Sequence, residues 1–586
     1  MNEVLHSRGP DGSFVHWEKN ELGHFYLGHQ YLQIRDLGPG SQQPFSDAYQ
    51  HCFLLYNGEL FVSPTFSSFI PSDTAVLFQH LHNQLLHFTP SEIENTLLAL
   101  NGMYAFIWLD FSQKKILIAR DPWGIKPLFF AETEDYLLIS SETKGILASQ
   151  LIEKEVGWGA VSAYRWQRFP TAPGTFWQQI FSVETPSVWD LSEGQVQRIL
   201  TKPQREPLPA RLPPRSQIVA HCHQALREAL LNHLEAQVPV GLMLSGGIDS
   251  TLLLALWRAS LPEAHIHTFT VVSQQAQDTD AHFARRAAQQ FESVHHEIEL
   301  GPEIMADLPA WWGAQDQPQA DPAAFLTACL CAKASGQVKA LLSGAGADET
   351  LAGYRRHWVF AQYAKFPHFW RLLACTGIPR VLRFWSKAGL IREGAGVLEK
   401  LDASLAQTFV RFTCLHWEGV SPPSFWAAPE PSDMLAFALQ YDQQHYLRHN
   451  VLAITDRASM QYGIEVRVPY LDQKLQDILQ NLPARIIFGR ERKWILKEIL
   501  KQYKGEAYLR RPKTGFGFPF GEWLRQPASE AIWRPALQTH HPLYAWLPRQ
   551  TVERTLQAHL SGRADYTHSL WAWLSLFYWA EKQGRA

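Results

Sequence analysis

The apolar residues of this chain gather in short runs whose period changes along its length. Up to about residue 195, runs such as Tyr104-Ala105-Phe106-Ile107-Trp108-Leu109 and Lys115-Ile116-Leu117-Ile118-Ala119 have strand length and little between them, which predicts a layered β-rich domain. From there to about residue 350, strand-like and helix-like patterns alternate. Val240-Gly241-Leu242-Met243-Leu244 followed by Thr251-Leu252-Leu253-Leu254-Ala255-Leu256 is the clearest pair, and such alternation predicts a doubly wound α/β sheet. Beyond residue 350 the pattern is mostly helical, and its Trp-rich amphipathic stretches read as core. Pro203, Pro207, Pro209, Pro213 and Pro214 crowd a polar stretch that suits neither regular helix nor central strand. Residues 196–215 therefore read as a linker between domains 1–195 and 216–586, in a multidomain chain of mixed α/β and α+β class.

The junction of the two apolar runs carries the candidate chemistry. Ser245-Gly246-Gly247-Ile248-Asp249-Ser250 joins a strand to a helix. Glycines let the backbone approach a phosphate, the helix N-terminus offers free N–H groups and partial positive charge, and the serines add hydroxyl donors. An Asp among phosphate-facing groups would repel a bare phosphate, so Asp249 makes sense as a ligand of the Mg²⁺ carried by ATP. The Gly-Lys-Ser/Thr ending of a Walker A loop is missing, which disfavours a phosphoryl-transfer P-loop. About a hundred residues on, Val338-Lys339-Ala340-Leu341-Leu342 runs into Ser343-Gly344-Ala345-Gly346-Ala347-Asp348-Glu349, a second strand, glycine turn and acidic pair. If the two strands are neighbours in a parallel sheet, Asp348 shares one magnesium pyrophosphate with Asp249 at the carboxyl ends of the strands.

The SGGxDS loop resembles the PP-loop of ATP pyrophosphatases, and nearly the whole chain resembles the glutamine-dependent asparagine synthetases. The resemblance continues through Asp456-Arg457-Ala458-Ser459-Met460, Glu465-Val466-Arg467-Val468-Pro469-Tyr470-Leu471-Asp472, Lys493-Trp494-Ile495-Leu496 and Arg511-Pro512-Lys513-Thr514-Gly515-Phe516-Gly517-Phe518-Pro519. It implies that Asp249 and Asp348 hold magnesium pyrophosphate, that Met243, Leu244, Ser245, Gly246, Gly247, Ser250, Val271, Ser343 and Gly344 contact ATP, and that Lys493 steadies the adenylate. Earlier in the chain, Arg8-Gly9-Pro10-Asp11-Gly12, Tyr56-Asn57-Gly58-Glu59-Leu60, Ser72-Asp73 and Ala119-Arg120-Asp121-Pro122-Trp123-Gly124-Ile125-Lys126-Pro127-Leu128 look like the glutaminase domain of class II amidotransferases, of Ntn type. There Asn57 and Gly58 would form an oxyanion hole, and Glu59 and Asp73 would bind the glutamine amino group.

Departures from the family pattern bear on function. Family members begin Met-Cys-Gly and use the N-terminal Cys as nucleophile, whereas this chain begins Met1-Asn2-Glu3-Val4-Leu5 and none of its six Cys (52, 222, 329, 331, 375, 414) lies in that segment. A start codon placed too far downstream and a decayed glutaminase are the two explanations. Tyr31 stands where the family has an Arg that clamps the glutamine carboxylate, a change a misplaced start would not make, so it favours an impaired glutaminase. Arg35 is near enough to substitute. The chain as it stands is expected to lack glutaminase activity. Ala345 replaces a residue usually acidic in the family and tyrosine in β-lactam-forming relatives. A methyl group cannot accept a proton, so that assistance comes from elsewhere, for which Glu349 is a candidate, or is absent. Gln317 also replaces a commonly acidic position. Residues 358–440 match the family least, and no chemistry is read from them.

Composition sets the remaining bounds. At 586 residues, 46% hydrophobic and 12% aromatic, the chain can bury two or three cores. A formal charge of −3 gives no basic field for nucleic acid, and no apolar stretch is long enough to span a bilayer. Scattered Cys fit a reducing cytoplasm, and Cys329-x-Cys331 reads as buried thiols rather than a zinc knuckle. The expected activity is an ATP- and Mg²⁺-dependent amide ligase acting on small molecules, with aspartate, ATP and either ammonia or glutamine as substrates. A homodimer through the glutaminase domain is implied by the resemblance. The alternatives are a relative that closes a β-lactam or peptide ring with the substrate's own amine, and an inactive binding scaffold.

Overall fold

The computed structural model describes residues 1–35, 42–61, 72–184, 186–191, 195–198, 212–273, 279–376, 398, 400–402, 404–420, 423, 431–509 and 519–583. The expected linker residues 199–211, the stretch Arg511–Phe518 and parts of 358–440 lie outside the described residues.

Among the described residues the first domain has eleven strands: β1 (Gly12–Asn20), β2 (Gly23–Tyr31), β3 (Phe45–Ser46), β4 (Cys52–Leu60), β5 (Gly102–Asp110), β6 (Lys115–Arg120), β7 (Phe129–Glu132), β8 (Leu137–Ser140), β9 (Phe181–Ser182), β10 (Ser187–Asp190) and β11 (Gln195–Arg198). Six form an antiparallel sheet in the order β11-β10-β6-β5-β4-β3, and β8-β7-β9 form a smaller one. In β5 residues of both faces are buried, as a central strand covered on both sides requires. One cover is the helix pair Asp73–Gln84 and Pro90–Leu98, whose Leu77, Leu81, Ile93 and Leu97 pack on Leu54, Phe106 and Trp108. The other is the three-stranded sheet and the β1–β2 hairpin, which set Phe25, Leu27 and Phe130 against Ile118 and Trp189. The hairpin alternates half-buried with exposed residues, the period-2 signature of a sheet wet on one side. These are the layers the short apolar runs predict.

The second domain is built on five parallel strands, β12 (Val240–Met243), β13 (His267–Ser273), β14 (Val294–Leu300), β15 (Ala340–Leu342) and β16 (Glu465–Arg467), in the order β14-β13-β12-β15-β16. The chain winds to one side through β13 and β14, then returns to place β15 on the other flank of β12, so β12 and β15 flank the topological switch point where such sheets bind ligands. Helices Arg215–Leu234, Ile248–Ser260 and Trp494–Lys501 cover one face, with Leu226, Leu230, Leu252, Ile495 and Ile499 in their shared core. Helix Ala323–Ala334 covers the other, with Leu330 and Cys331 against Phe269 and Leu341. Cys331 is buried and Cys329 half-buried, and both thiols are free. The first of these helices begins at Arg215, behind Pro214, and β11 runs three residues into the stretch read as linker. Four of that stretch's five prolines lie beyond residue 203, so nothing in 195–198 bars an edge strand.

The rod Met434–Met460 continues through three segments, and its middle, Asp442–Leu452, is wound as wider π turns, a rare geometry that recurs at functional sites. The long helix Thr567–Gln583 buries Trp571, Trp573 and Trp579. Its Leu576 and Trp579 share a core with Tyr164 and Phe176 of the first domain. The domains are also joined by buried ion pairs. Arg8 binds Asp456 at 2.8 Å and Glu142 at 2.9 Å, Lys126 meets Glu465 at 2.9 Å, and Arg467 meets Glu59 at 2.9 Å. No helix among the described residues is long and apolar enough to cross a membrane.

Candidate active site

The two glycine loops leave neighbouring strands, since β12 pairs in parallel with β15 through Gly241 and Leu341. After β12 the chain turns at Gly246, with φ +66°, where a Cβ would lie 2.5 Å from the Ala284 nitrogen. Only glycine fits such an approach in a left-handed conformation. Ser245 and Ser250 close the loop on themselves, their hydroxyls 3.2 Å apart, while Gly247 caps the helix Ile248–Ser260 that carries Asp249 in its first turn. After β15, Ser343 is tied to β16 by its N–H to the Arg467 carbonyl at 2.9 Å. A Cβ on Gly344 would sit 3.0 Å from the Asp249 Cβ, so the two loops touch.

Their carboxylates converge on one cation. Lys493 Nζ lies 2.5 Å from Asp249 Oδ2 and 2.7 Å from Asp348 Oδ1, with Lys493 5% exposed. Burial alone would lower the ammonium, but the two carboxylates overrule it and hold it well above the ordinary lysine range. Lys493 stands just outside helical backbone. It precedes Trp494–Lys501 in a left-handed conformation, φ +54°, and that turn aims the side chain inward. Gly353 completes the fit, because a Cβ there would come within 2.0 Å of both Asp348 Oδ1 and Lys493 Cε. The Tyr470 hydroxyl donates to the Asp249 carbonyl at 3.0 Å. Neither contact follows from motif spacing, although Tyr470 lies in a run that looks like the family's.

Met243 and Val271 flank the cradle on β12 and β13 and are half-buried against one apolar cluster. Leu244 is held by its N–H to the Phe269 carbonyl at 2.9 Å and by the Thr270 hydroxyl donating to its own carbonyl. Every residue that the resemblance links to ATP is therefore near the carboxyl end of β12, β13 or β15, in the loop that follows, or in the first turn of the helix after β12. The donor set fits Mg²⁺ arriving with nucleotide. Two hard carboxylates face one cationic point. A magnesium ion held by one or two carboxylates takes its other ligands from phosphate and water.

Beside the triad, Glu349 is 1% exposed and accepts the Tyr354 hydroxyl at 2.5 Å. Burial, and then the charge of Asp348, push its carboxyl up to about 7. Ala345 packs among Trp123, Leu447 and Leu471, so its methyl sits in an apolar setting. Gln317 is buried, its Oε1 3.5 Å from the Phe176 N–H.

In the first domain Asn57, Gly58 and Glu59 end β4 and Asp73 starts the helix beside it. Asn57 Nδ2 is buried with no acceptor among the described residues, a donor of the kind an oxyanion hole needs. Asp73 accepts from the Tyr56 hydroxyl at 2.9 Å and the Leu60 N–H at 3.3 Å. Glu59 is already spanned by two cations, with Oε1 2.9 Å from Arg35 and Oε2 2.9 Å from Arg467. Arg35 does reach this site, but its guanidinium is shared between Glu59 and Glu235. Tyr31 lies at the end of β2 with its ring 6.5 Å from Phe14 and 6.2 Å from His29.

Comparison with known proteins bears on the family. A family model described as asparagine synthase matches residues 221–581, and one described as glutamine amidotransferase domain matches residues 1–202. Asparagine synthetase (glutamine-hydrolyzing) 1 of Bacillus subtilis strain 168 is 26% identical, the match covering 99% of this chain and 92% of that protein. A putative asparagine synthetase (glutamine-hydrolyzing) of Mycobacterium tuberculosis strain H37Rv is also 26% identical, over 99% of this chain and 92% of its own length. Amidase chry2 of Gibberella zeae is 23% identical over 90% of this chain and 86% of that one. With a matching family model over well more than half its length, the chain belongs to the asparagine synthase family.

Proposed function

We propose that the chain is an ATP-dependent amide-forming ligase that works through an acyl-adenylate, and that its substrates are aspartate and ammonia. The convergence of Asp249, Asp348 and Lys493 at the switch point carries this reading. A carboxylate oxygen of the substrate attacks the α-phosphorus of ATP, and the bond to the departing pyrophosphate breaks. The amine nitrogen then attacks the acyl carbon, loses a proton, and AMP leaves with the electron pair of its C–O bond. Asp249 and Asp348 would hold Mg²⁺, which supplies charge neutralisation for the pyrophosphate. Lys493, held cationic between them, sets positive charge where the adenylate phosphate becomes negative. Glu349 can accept the amine proton, since a carboxyl near 7 is half ionised at neutral pH.

The test is pyrophosphate and asparagine formation from Mg·ATP and aspartate, with ammonium or glutamine as nitrogen donor. Product is expected with ammonium, and Lys493→Met should lower the rate on the order of 100-fold or more. No product with either donor overturns the aspartate–ammonia pair.

A second reading keeps the adenylylation and takes the amine from the substrate itself. It is favoured by the double pairing of Glu59, which leaves no carboxylate oxygen waiting for a glutamine amine, and by the apolar packing of Ala345.

A further inference from the structure

Between the two domains runs a groove of about 1770 Å³, larger than the roughly 300–1,000 Å³ of typical small-molecule sites. A free amino acid would fill only a small part of it. Two of its walls are ladders of carboxamides. Gln440, Gln443 and Gln444 come from the rod Met434–Met460 at the start of its π-wound segment, and Gln473, Gln476 and Gln480 from the helix Gln473–Gln480. Gln473, Gln476 and Gln480 follow at intervals of about one turn and share a helix face, and Gln440 and Gln444 lie four residues apart with Gln443 beside them. Gln476 is buried and donates to the Tyr470 carbonyl at 2.6 Å, Gln473 donates to the Leu98 carbonyl at 3.2 Å and Gln443 to that of Glu349, so Gln444 and Gln480 are the carboxamides placed to donate to and accept from a polypeptide backbone.

The wall from the first domain is aromatic, with Trp123, Phe130 and Trp189. Trp189 is 7% exposed, and its indole N–H has no acceptor among the described residues, an unmet donor at the edge of the groove. The two arginines of the lining, and the carboxylates of Glu184 and Asp121, are spent on the protein itself. Arg448 lies 3.2 Å from Glu184, Arg120 donates to the carbonyls of Gly124 and Lys126, and Asp121 accepts the N–H groups of Trp123, Ile125 and Lys126. The groove therefore offers neutral amides and aromatic faces rather than the cationic clamp that a free dicarboxylic amino acid calls for.

Its inner end meets the triad's loop. Leu471 lines the groove and stands 2.5 Å from where a Cβ of Gly346 would be, Trp123 and Leu471 pack with Ala345, and Gln443 Nε2 donates to the Glu349 carbonyl at 3.3 Å. We infer that this groove binds an extended peptide segment and leads it to the adenylylating site, so that the substrate is an oligopeptide rather than a free amino acid. This rests on the second reading above, in which the substrate carries its own amine.

The test uses an array of ten-residue peptides of mixed sequence, each containing one aspartate, probed with the purified full chain. A second preparation carries Gln444→Leu and Gln480→Leu together, and its melting curve checks the fold. Retention of a subset of peptides by the wild type, weakened at least tenfold by the double substitution, is expected. No retained peptide, or retention indifferent to the substitutions, overturns the proposal. Pyrophosphate release with aspartate and ammonium by a chain that retains no peptide overturns the groove and leaves the ligase standing. Gln-dependent retention without any pyrophosphate release from Mg·ATP supports the groove and overturns the ligase.

Discussion

In the proposed ligase the chemistry rests on residues crowded into contact, and two of them lend themselves to substitution. Gly353 is the smaller change. With 2.0 Å between a new Cβ and both Asp348 Oδ1 and Lys493 Cε, Gly353→Ala must push the lysine and the carboxylate apart. Misplacement by about 1 Å costs on the order of 100-fold in rate, so the variant should fold and lose pyrophosphate release by about that factor, read in a steady-state assay. Glu349 is the second. Its folded carboxyl sits at about 7 against an ordinary 4.5, so the stability it contributes is whole below about pH 4.5 and drains away as pH rises through 7. Glu349→Gln removes that dependence. Urea unfolding from pH 5 to 8 should show the variant gaining on the wild type by up to about 3 kcal/mol, and a constant difference across that range would refute the shifted carboxyl. Asp249, Asp348 and Lys493 were legible as types in their motifs. Gly353 and Tyr470 are not legible in this way, because their part is steric or a single hydrogen bond, and neither is encoded in spacing.

At the scale of elements, the parallel sheet was readable from alternating apolar periods, and the adjacency of β12 and β15 was the condition on which the shared cation site depended. β12 and β15 lie about a hundred residues apart with two other strands between them in the chain, so periodicity alone leaves their adjacency open. β16 went unread as a strand because three residues, Glu465-Val466-Arg467, carry no period and two of them are charged. Those charges are the reason the strand exists where it does. Arg467 is fully buried and bonds Glu59, Glu465 and the carbonyls of His233 and Glu235. Arg467→Met alone should destabilise by about 3–5 kcal/mol, since a buried carboxylate loses its partner. Adding Glu59→Gln should return part of that loss, so a double-mutant cycle in urea would read a coupling of about 1 kcal/mol or more. Additive losses would mean that the two side chains do not support one another.

For the molecule as a whole, two domains were legible, but the way they meet was not. The short motifs that carry the family resemblance turn out to face each other across the interface: Arg8 reaches Asp456, Asp11 reaches Lys339, Lys126 reaches Glu465 and Glu59 reaches Arg467. A sequence read one motif at a time gives each a local role, and ion pairs between residues more than three hundred positions apart have no local signature. The prediction at this scale is physical separation. Residues 212–583 expressed without the first domain should aggregate or stay unfolded by circular dichroism, because Asp456, Glu465 and Arg467 would lose buried partners and Leu576 and Trp579 would be uncovered; co-expression with residues 1–198 should restore soluble protein.

The doubly bridged Glu59 has an evolutionary corollary. A residue that braces two domains is kept by selection for folding alone, so its persistence in a lineage says little about whether glutamine is still consumed there. Genome surveys that infer a working amidotransferase from that glutamate would overcount, and the first domain can outlast its own chemistry as a structural partner that the ligase cannot shed.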